Sequence, residues 1–185
     1  AFARTQEYIF KHAILREVTY ERVLKAKRKL YHRMAAEWLI QQSGERLNEY
    51  LSLIAQHYEL AGDENLAVDF LERAGLQSMR LSAYREALTA FEHAMGIVAS
   101  SQNNNQSTRA RILLHIGRAH LWLTEHASAI ARFEECLALA SLANDRTIEL
   151  RALAQLGRVQ LELGVFGEVY KFAERSLAIA SEIGD

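Results

Sequence analysis

A repeat of 40 to 42 residues is the feature that most limits how this chain can fold. Gly75, Gly117 and Gly157 stand at the same place in three successive copies, and the residues around them agree at fixed offsets. A leucine lies four residues before each glycine, and a large apolar residue lies twenty residues after it. A period of this size fits one helical hairpin, which cannot bury its apolar face without a neighbour. The sequence therefore predicts a stack of helical hairpins.

The composition favours helices along the whole chain. The 185 residues include no proline and only 9 glycines, and 50% are hydrophobic, so long helices are uninterrupted and can bury a large core. A net charge of -1 gives no general reason to expect a nucleic acid or an acidic membrane as partner. No apolar run is long enough to cross a bilayer. Cys136 is the only cysteine, so no disulfide forms within the chain, which fits a cytoplasmic location.

Apolar periodicity and helix-ending glycines predict nine helices. They cover residues 5–17, 19–42, 45–61, 64–80, 83–99, 108–123, 126–142, 147–162 and 165–182. The first three form a helical adaptor over residues 1–63. The other six form three hairpins within 64–185, at about 64–99, 108–142 and 147–182. The predicted fold class is all-α, an α-α superhelix (solenoid) of antiparallel helix hairpins.

The repeated glycines lie inside predicted helices, where glycine costs about 1 kcal/mol relative to alanine. Close approach of the second helix of each hairpin is the expected reason for them. The small residues Ala87 and Ala129 and, more loosely, Val169 stand twelve positions later and are predicted to face these glycines. Cys136 occupies another small packing position, which predicts a buried rather than a reactive thiol.

The repeats resemble the tetratricopeptide repeat family over residues 65–185. The family's small and aromatic positions are occupied in the first two copies by Tyr84, Ala87, Phe91 and Ala94, and by Ile116, Gly117, Ala129, Phe133 and Cys136. The family's proline after the second helix is missing, and the spacing exceeds the common repeat length of about 34 residues. The resemblance implies a superhelix whose first helices line a concave surface that binds protein partners.

Six arginines lie on the predicted first helices, of which four share their repeat offsets and two extend the set: Arg73, Arg80, Arg111, Arg118, Arg151 and Arg158. The last four fall seven residues apart within each copy, and therefore on nearly the same helical face. On the concave surface implied by the family resemblance, they predict a ladder of guanidinium groups suited to an acidic peptide or protein. The sequence favours the alternative to this ladder, a solvated arginine face that is balanced by Glu149 and Glu162.

The front of the chain, residues 8–100, resembles the segment that joins the ATPase core to helical repeats in large bacterial signalling ATPases. The resemblance rests on Phe10-Lys-His-Ala-Ile-Leu-Arg-Glu-Val-Thr-Tyr20, Arg28-Lys-Leu-Tyr-His32 and His57-Tyr-Glu-Leu-Ala-Gly-Asp63. It implies a non-catalytic piece of a larger regulator, with an ATPase or nucleotide-cyclase domain elsewhere in that protein. We also expect the array to continue beyond residue 185, and its exposed end to permit dimerisation.

No catalytic, cofactor or metal site is predicted. The chain lacks a phosphate-binding loop of the form GxxxxGK[ST] and a recognisable nucleophile elbow. His115 and His120 are five residues apart and so lie on different helical faces, while His120 and His126 flank a predicted turn. We therefore expect no cofactor and no enzymatic activity from this chain.

Residues 22–33 include six lysines or arginines. Because Leu24, Leu30 and Tyr31 belong to an apolar stripe of the same helix, the cations are expected to form its solvated face. One alternative is docking of an upstream domain of the same parent chain, through Lys25, Lys27, Arg28, Lys29 and Arg33. The other alternative, contact with nucleic-acid phosphates, is the less favoured of the two.

Overall fold

The computed structural model describes residues 11–101 and 105–183, and within those ranges it contains nine α-helices, one short 3-10 helix and no strand. The α-helices are α1 (Ala13–Arg22), α2 (Lys25–Ser43), α3 (Leu51–Ala61), α4 (Glu64–Arg80), α5 (Tyr84–Ser100), α6 (Gln106–Trp122), α7 (His126–Leu142), α8 (Arg146–Glu162) and α9 (Phe166–Ile183). The 3-10 helix, Gly44–Glu49, lies between α2 and α3. The predicted all-α class is confirmed.

The helix boundaries at the front of the chain differ from the prediction. The predicted break at residue 18 is wrong, because α1 continues to Arg22 and the chain is extended at Val23 and Leu24, with ψ of 129° and 138°. The predicted helix 45–61 is divided at Tyr50, where the 3-10 helix gives way to α3. Neither break carries glycine or proline, so the sequence has no local signal for it. Residues 5–10 of the first predicted helix lie outside the described residues.

The chain divides into two compact units, Ala1–Phe70 and Leu71–Asp185. In the first unit α2 packs against α3. The core there includes Ala36, Ile54 and Ala55, all almost fully buried. Tyr58 also belongs to this core and stacks on Phe70, with ring centroids 5.6 Å apart.

Most of the apolar stripe predicted on α2 is exposed. Leu39 is buried, whereas Leu24, Leu30, Tyr31 and Met34 each keep more than half of their surface exposed. The helix therefore buries only the narrow face that meets α3, and apolar side chains alternate with cations on the remainder.

In the second unit, α5 packs on α6, α6 on α7, α7 on α8 and α8 on α9, and α6 also contacts α8. Four connections, those after α4, α6, α7 and α8, are three-residue turns whose middle residue has a positive φ. These middle residues are Ser82, Thr124, Asn144 and Gly164. The residue after each of them donates its N–H to a carbonyl in the last turn of the preceding helix, as Glu125 does to the His120 oxygen at 2.9 Å. This backbone capping motif therefore ends α4, α6, α7 and α8 in the same way.

The glycines inside the first two hairpins pack against phenylalanine rings. The Phe91 ring covers Gly75, and the Phe133 ring covers Gly117 so closely that an added Cβ would lie 2.4 Å from a ring carbon. The three atoms nearest to each added Cβ all belong to these rings, and the alanines predicted to face the glycines, Ala87 and Ala129, are fully buried.

The third hairpin lacks this ring-on-glycine packing. A Cβ added at Gly157 would meet only the Phe172 Cβ, at 3.7 Å, which is an ordinary van der Waals distance. Ala173 stands sixteen residues after Gly157, where the first two copies have their phenylalanine. The predicted contact with Val169 is replaced by one with Phe172.

Cys136 is fully buried in the core between α6, α7 and α8, as predicted. Burial, followed by the charges of Asp145 and Glu135, raises the pKa of its thiol to about 12. The thiol is therefore protonated at physiological pH and acts as a packing group.

Candidate protein-binding site

The six predicted arginines do not form one continuous ladder. Arg118 on α6 and Arg151 and Arg158 on α8 line a single cavity of about 260 Å³. Arg73, Arg80 and Arg111 are not among the residues that line it. The structure therefore brings half of the predicted set together.

Arg111 has a structural partner that the sequence did not indicate. Its Nε donates to Oε1 of Glu72 at 2.9 Å and its Nη2 donates to Oε2 at 2.7 Å. The Glu72 carboxylate is buried, and this two-pronged pair is the strong form of the arginine–carboxylate interaction. The two residues are 39 positions apart, so helical spacing within one repeat gave no signal for the pair.

The cavity lies between two first helices of consecutive hairpins. From α6 it is lined by Leu114, His115, Arg118, Leu121 and Trp122, and from α8 by Arg151, Gln155 and Arg158. The α8 residues are spaced by four and then three positions, which places them on one helical face. The arginine spacing indicated this face, but Gln155 and Trp122 were not predicted.

Arg118 and Arg151 carry the uncompensated charge of the cavity. Among the described residues, no carboxylate forms an ion pair with either side chain. Glu149, expected to balance the arginine face, pairs instead with Arg146 and Arg175. Glu149 therefore forms no ion pair with either of these two arginines.

Arg158 differs from the other two arginines of the cavity, because the fold holds it in place. Its Nε donates to Oε1 of Glu162 at 3.1 Å, as the solvated-face alternative expected. Its guanidinium lies 5.5 Å from the centroid of the Trp122 ring, which is a cation–π distance. Trp122 also stacks on Tyr84, with ring centroids 5.5 Å apart and an interplanar angle of 6°. The indole is nevertheless half-exposed at the cavity.

His115 forms the inner wall of the cavity. Its ring stacks on Phe91, with centroids 5.1 Å apart. Burial, followed by the guanidinium groups of Arg118, Arg111 and Arg151, lowers the pKa of His115 to about 4. The imidazole is therefore neutral at physiological pH and adds no charge to the cavity.

This lowered pKa makes the protein acid-sensitive. The unfolded chain binds a proton at His115 below about pH 6.5, whereas the folded chain does not until about pH 4. The stability that depends on neutral His115 is thus complete above pH 6.5 and is lost as the pH falls towards 4. In this window the residue contributes a slope of about 1.4 kcal/mol per pH unit to the free energy of unfolding. Urea unfolding between pH 4.5 and 7 is expected to show a shallower pH dependence for His115→Gln than for the wild type, and parallel curves would contradict this assignment.

The predicted docking cations of the first unit divide into bound and exposed groups. The Arg33 Nε donates to Oδ2 of Asp63 at 2.6 Å, and its Nη2 bonds to the other carboxylate oxygen. The Arg28 guanidinium lies 5.0 Å from the centroid of the Tyr20 ring. Lys25, Lys27 and Lys29 are exposed. Docking through this helix stays a prediction that rests on these three lysines.

A second feature of the first unit links three side chains that are distant in sequence. His32 Nε2 lies 2.9 Å from the Tyr20 hydroxyl oxygen, and His32 Nδ1 lies 2.9 Å from His57 Nδ1. Burial, followed by Arg28, lowers the pKa of His32, and burial, followed by His32, lowers that of His57. These residues connect α1, α2 and α3, which gives the two histidines a structural role.

Sequence comparison relates the chain to a short part of a longer protein. No protein-family model matches the chain. An uncharacterised protein of Rhizobium meliloti (strain 1021) is 28% identical over 106 residues, which cover 57% of this chain and 10% of the relative. The chain thus spans about a tenth of that relative's length.

Solved structures share the architecture at low sequence identity. Aspartyl phosphate phosphatase F from Bacillus subtilis superposes with a TM-score of 0.69 at 14% identity, over 88% of this chain and 43% of that one. A signal transduction ATPase with a tetratricopeptide repeat sensor from Pyrococcus horikoshii gives 0.64 at 15%, over 90% and 26%. A Rap protein complexed with competence and sporulation factor gives 0.59 at 14%, over 91% and 58%. The chain has the fold of tetratricopeptide-type helical repeats.

The described residues form neither a membrane span nor a cluster of metal ligands. No helix there is both long and apolar enough to span a membrane. Nor does that part of the chain bring three or more histidine, cysteine, aspartate or glutamate side chains together as metal ligands.

Proposed function

We propose that the chain is a protein-interaction module that binds an acidic segment of a partner protein at the cavity between α6 and α8. The observation that carries the proposal is the pair Arg118 and Arg151, which line one cavity from two helices without a carboxylate partner. Other arginines of the second unit are held by a glutamate of the same unit, namely Arg111, Arg132, Arg146 and Arg175. Arginines left unmatched at a concave site are suited to a carboxylate supplied by another molecule.

The aromatic residues beside the cavity support the same proposal. Trp122 is half-exposed and contacts both the Tyr84 ring and the Arg158 guanidinium. Tryptophan, tyrosine and arginine are the residues that most often contribute a large share of binding energy at protein interfaces. A partner segment that combines a carboxylate with a neighbouring apolar side chain would contact both parts of this surface.

The proposed context is a larger bacterial signal-transduction protein in the cytoplasm. In this proposal residues 1–63 are a helical adaptor to an upstream ATPase or cyclase domain, and residues 64–185 are three hairpins of a longer array. The short fraction of the Rhizobium meliloti relative that the chain covers supports this view, as does the likeness to an ATPase with a repeat sensor. Dimerisation through exposed repeat ends stays a prediction, which light scattering over a concentration series would test.

Selection from a random peptide display library tests the proposed interaction. Immobilised wild-type protein is expected to enrich peptides rich in Asp and Glu, and their affinity is expected to fall at least tenfold in the variant Arg118→Glu/Arg151→Glu. These side chains form no ion pair in the described structure, so the variant is expected to keep the wild-type melting temperature.

The matched control is Arg132→Glu/Lys171→Glu, which makes the same charge change on the second helices α7 and α9, outside the cavity. It is expected to retain the affinity for the selected peptides. An equal loss of affinity in both variants would show that the effect arises from the net charge of the protein and not from the cavity. Undiminished binding by the cavity variant would show that the partner uses a different surface.

A further inference from the structure

The charge of the cavity between α6 and α8 follows from the partners of the side chains that line it. Arg158 is matched by Glu162, and His115 is neutral at physiological pH. Arg118 and Arg151 remain without an acidic partner among the described residues. The cavity therefore presents two net positive charges.

The lining of the cavity selects against most other ligands. It includes no aspartate or glutamate, so it offers no negative charge to a metal cation or an amine. Its polar groups are the three guanidinium groups, the Gln155 amide and the His115 imidazole, and all of these can donate hydrogen bonds. The ligand group that fits this set is an acceptor with several oxygens.

The size of the cavity limits the ligand to one head group. Its volume of about 260 Å³ is below the range of roughly 300 to 1,000 Å³ that is usual for sites that enclose a whole small molecule. The mouth is partly open, with the half-exposed Trp122 beside it. A group at the end of a longer molecule can enter while the remainder lies outside on the aromatic surface.

We propose that this cavity is a binding site for a phosphate monoester dianion, held between the guanidinium groups of Arg118 and Arg151. A carboxylate brings one negative charge and two oxygens, and so matches half of the charge that the two arginines present. A phosphate monoester brings a charge of about -1.5 to -2 at pH 7 and three acceptor oxygens. Arginine clusters recognise phosphate in this way because each guanidinium can donate two parallel hydrogen bonds.

If a side chain of the partner protein carries the phosphate, this inference rests on the proposed function and specifies the group that is recognised. A phosphorylated small molecule would supply the same group. The two sources share the recognised chemistry, and the experiment separates them.

A rise in affinity with pH that the phosphate ligand shows, and that a glutamate peptide on the same protein does not show, belongs to the ligand. The second pKa of a phosphate monoester is about 6, so the dianion fraction rises about tenfold between pH 5 and pH 7. A glutamate side chain, with a pKa near 4.3, is already ionised over most of that range. Affinity that increases about tenfold with pH identifies the dianion as the bound species.

The test compares labelled peptides of one sequence with phosphoserine, glutamate or serine at the central position, by fluorescence anisotropy at pH 5, 6 and 7. Wild-type protein is expected to bind the phosphoserine peptide at least tenfold more tightly than the glutamate peptide at pH 7. This preference is expected to disappear in Arg118→Gln/Arg151→Gln and to persist in the charge-matched control Arg132→Gln/Lys171→Gln. Melting temperatures of both variants verify that they are folded.

A competition with phenyl phosphate identifies the source. If phenyl phosphate displaces the phosphoserine peptide at a concentration close to the peptide's dissociation constant, the result supports a free phosphorylated ligand. If displacement needs a far higher concentration of phenyl phosphate, the result supports a phosphorylated protein segment. Equal affinity for the phosphoserine and glutamate peptides, with dependence on both arginines, overturns the phosphate inference alone and leaves the proposed function standing. Binding of either peptide that is unchanged by the cavity variant overturns both proposals.

Discussion

Replacing Gly117 with alanine is expected to destabilise the protein by about 2 kcal/mol, although alanine is the better helix former. The new Cβ would lie 2.4 Å from a carbon of the Phe133 ring, which is fully buried and cannot move into solvent. Either the ring or α7 must shift, and a close-packed core resists both. Urea unfolding of the wild type and of the variant measures the loss.

Gly157 provides the matched control, because it stands at the same repeat position without a ring against it. Gly157→Ala is expected to stabilise the protein by about 0.5 to 1 kcal/mol through helix propensity alone. The two substitutions are chemically identical, so opposite signs isolate the contribution of Phe133. Similar effects at both sites would contradict the packing argument. Phe133→Leu is expected to lower the free energy of unfolding less in the Gly117→Ala variant than in the wild type.

Removing both arginines that hold Glu149 is expected to cost about 3 kcal/mol of folding stability. Only 1% of Glu149 is exposed, and its two carboxylate oxygens accept from Arg146 Nη1 at 2.9 Å and Arg175 Nη2 at 2.8 Å. In the variant Arg146→Gln/Arg175→Gln the buried carboxylate loses both cations. The cost arises from a buried charge without a partner rather than from the loss of surface charge.

Adding Glu149→Gln to that double variant is expected to restore most of the lost stability, because it removes the buried charge itself. The exposed pair of Arg146 with Glu182 accounts for at most about 1 kcal/mol of the initial loss. Denaturant melts of the wild type, the double variant and the triple variant supply the comparison. No recovery in the triple variant would mean that the arginines act through packing of their stems instead.

Only some of the arginines that the sequence predicted for the site line the cavity. The repeat placed Arg118, Arg151 and Arg158 on the first helices, and the structure brings these three to one cavity. Arg111 has the same repeat position as Arg151, yet Glu72 holds it. The sequence offered no basis for separating them, since an ion pair depends on which side chains meet across helices.

The sequence by itself determined the all-α hairpin array. Helix formation and hairpin length follow from the absence of proline, from apolar periodicity and from a repeat of 40 to 42 residues, which are all properties of short or regularly spaced segments. They hold wherever the segment lies in the fold. The two breaks near Val23 and Tyr50 escaped prediction because no helix-breaking residue marks them.

Only the tertiary structure decided which residues of the repeat have equivalent roles. Gly117 and Gly157 occupy the same repeat position. The Phe133 ring covers Gly117, whereas no side chain lies in close contact with Gly157. Arg118 and Arg151 remain unmatched because Glu149 is directed to Arg146 and Arg175, and Glu162 to Arg158. Packing distances and ion pairs are set by side chains from different helices, and a repeat pattern read along one chain does not contain that information.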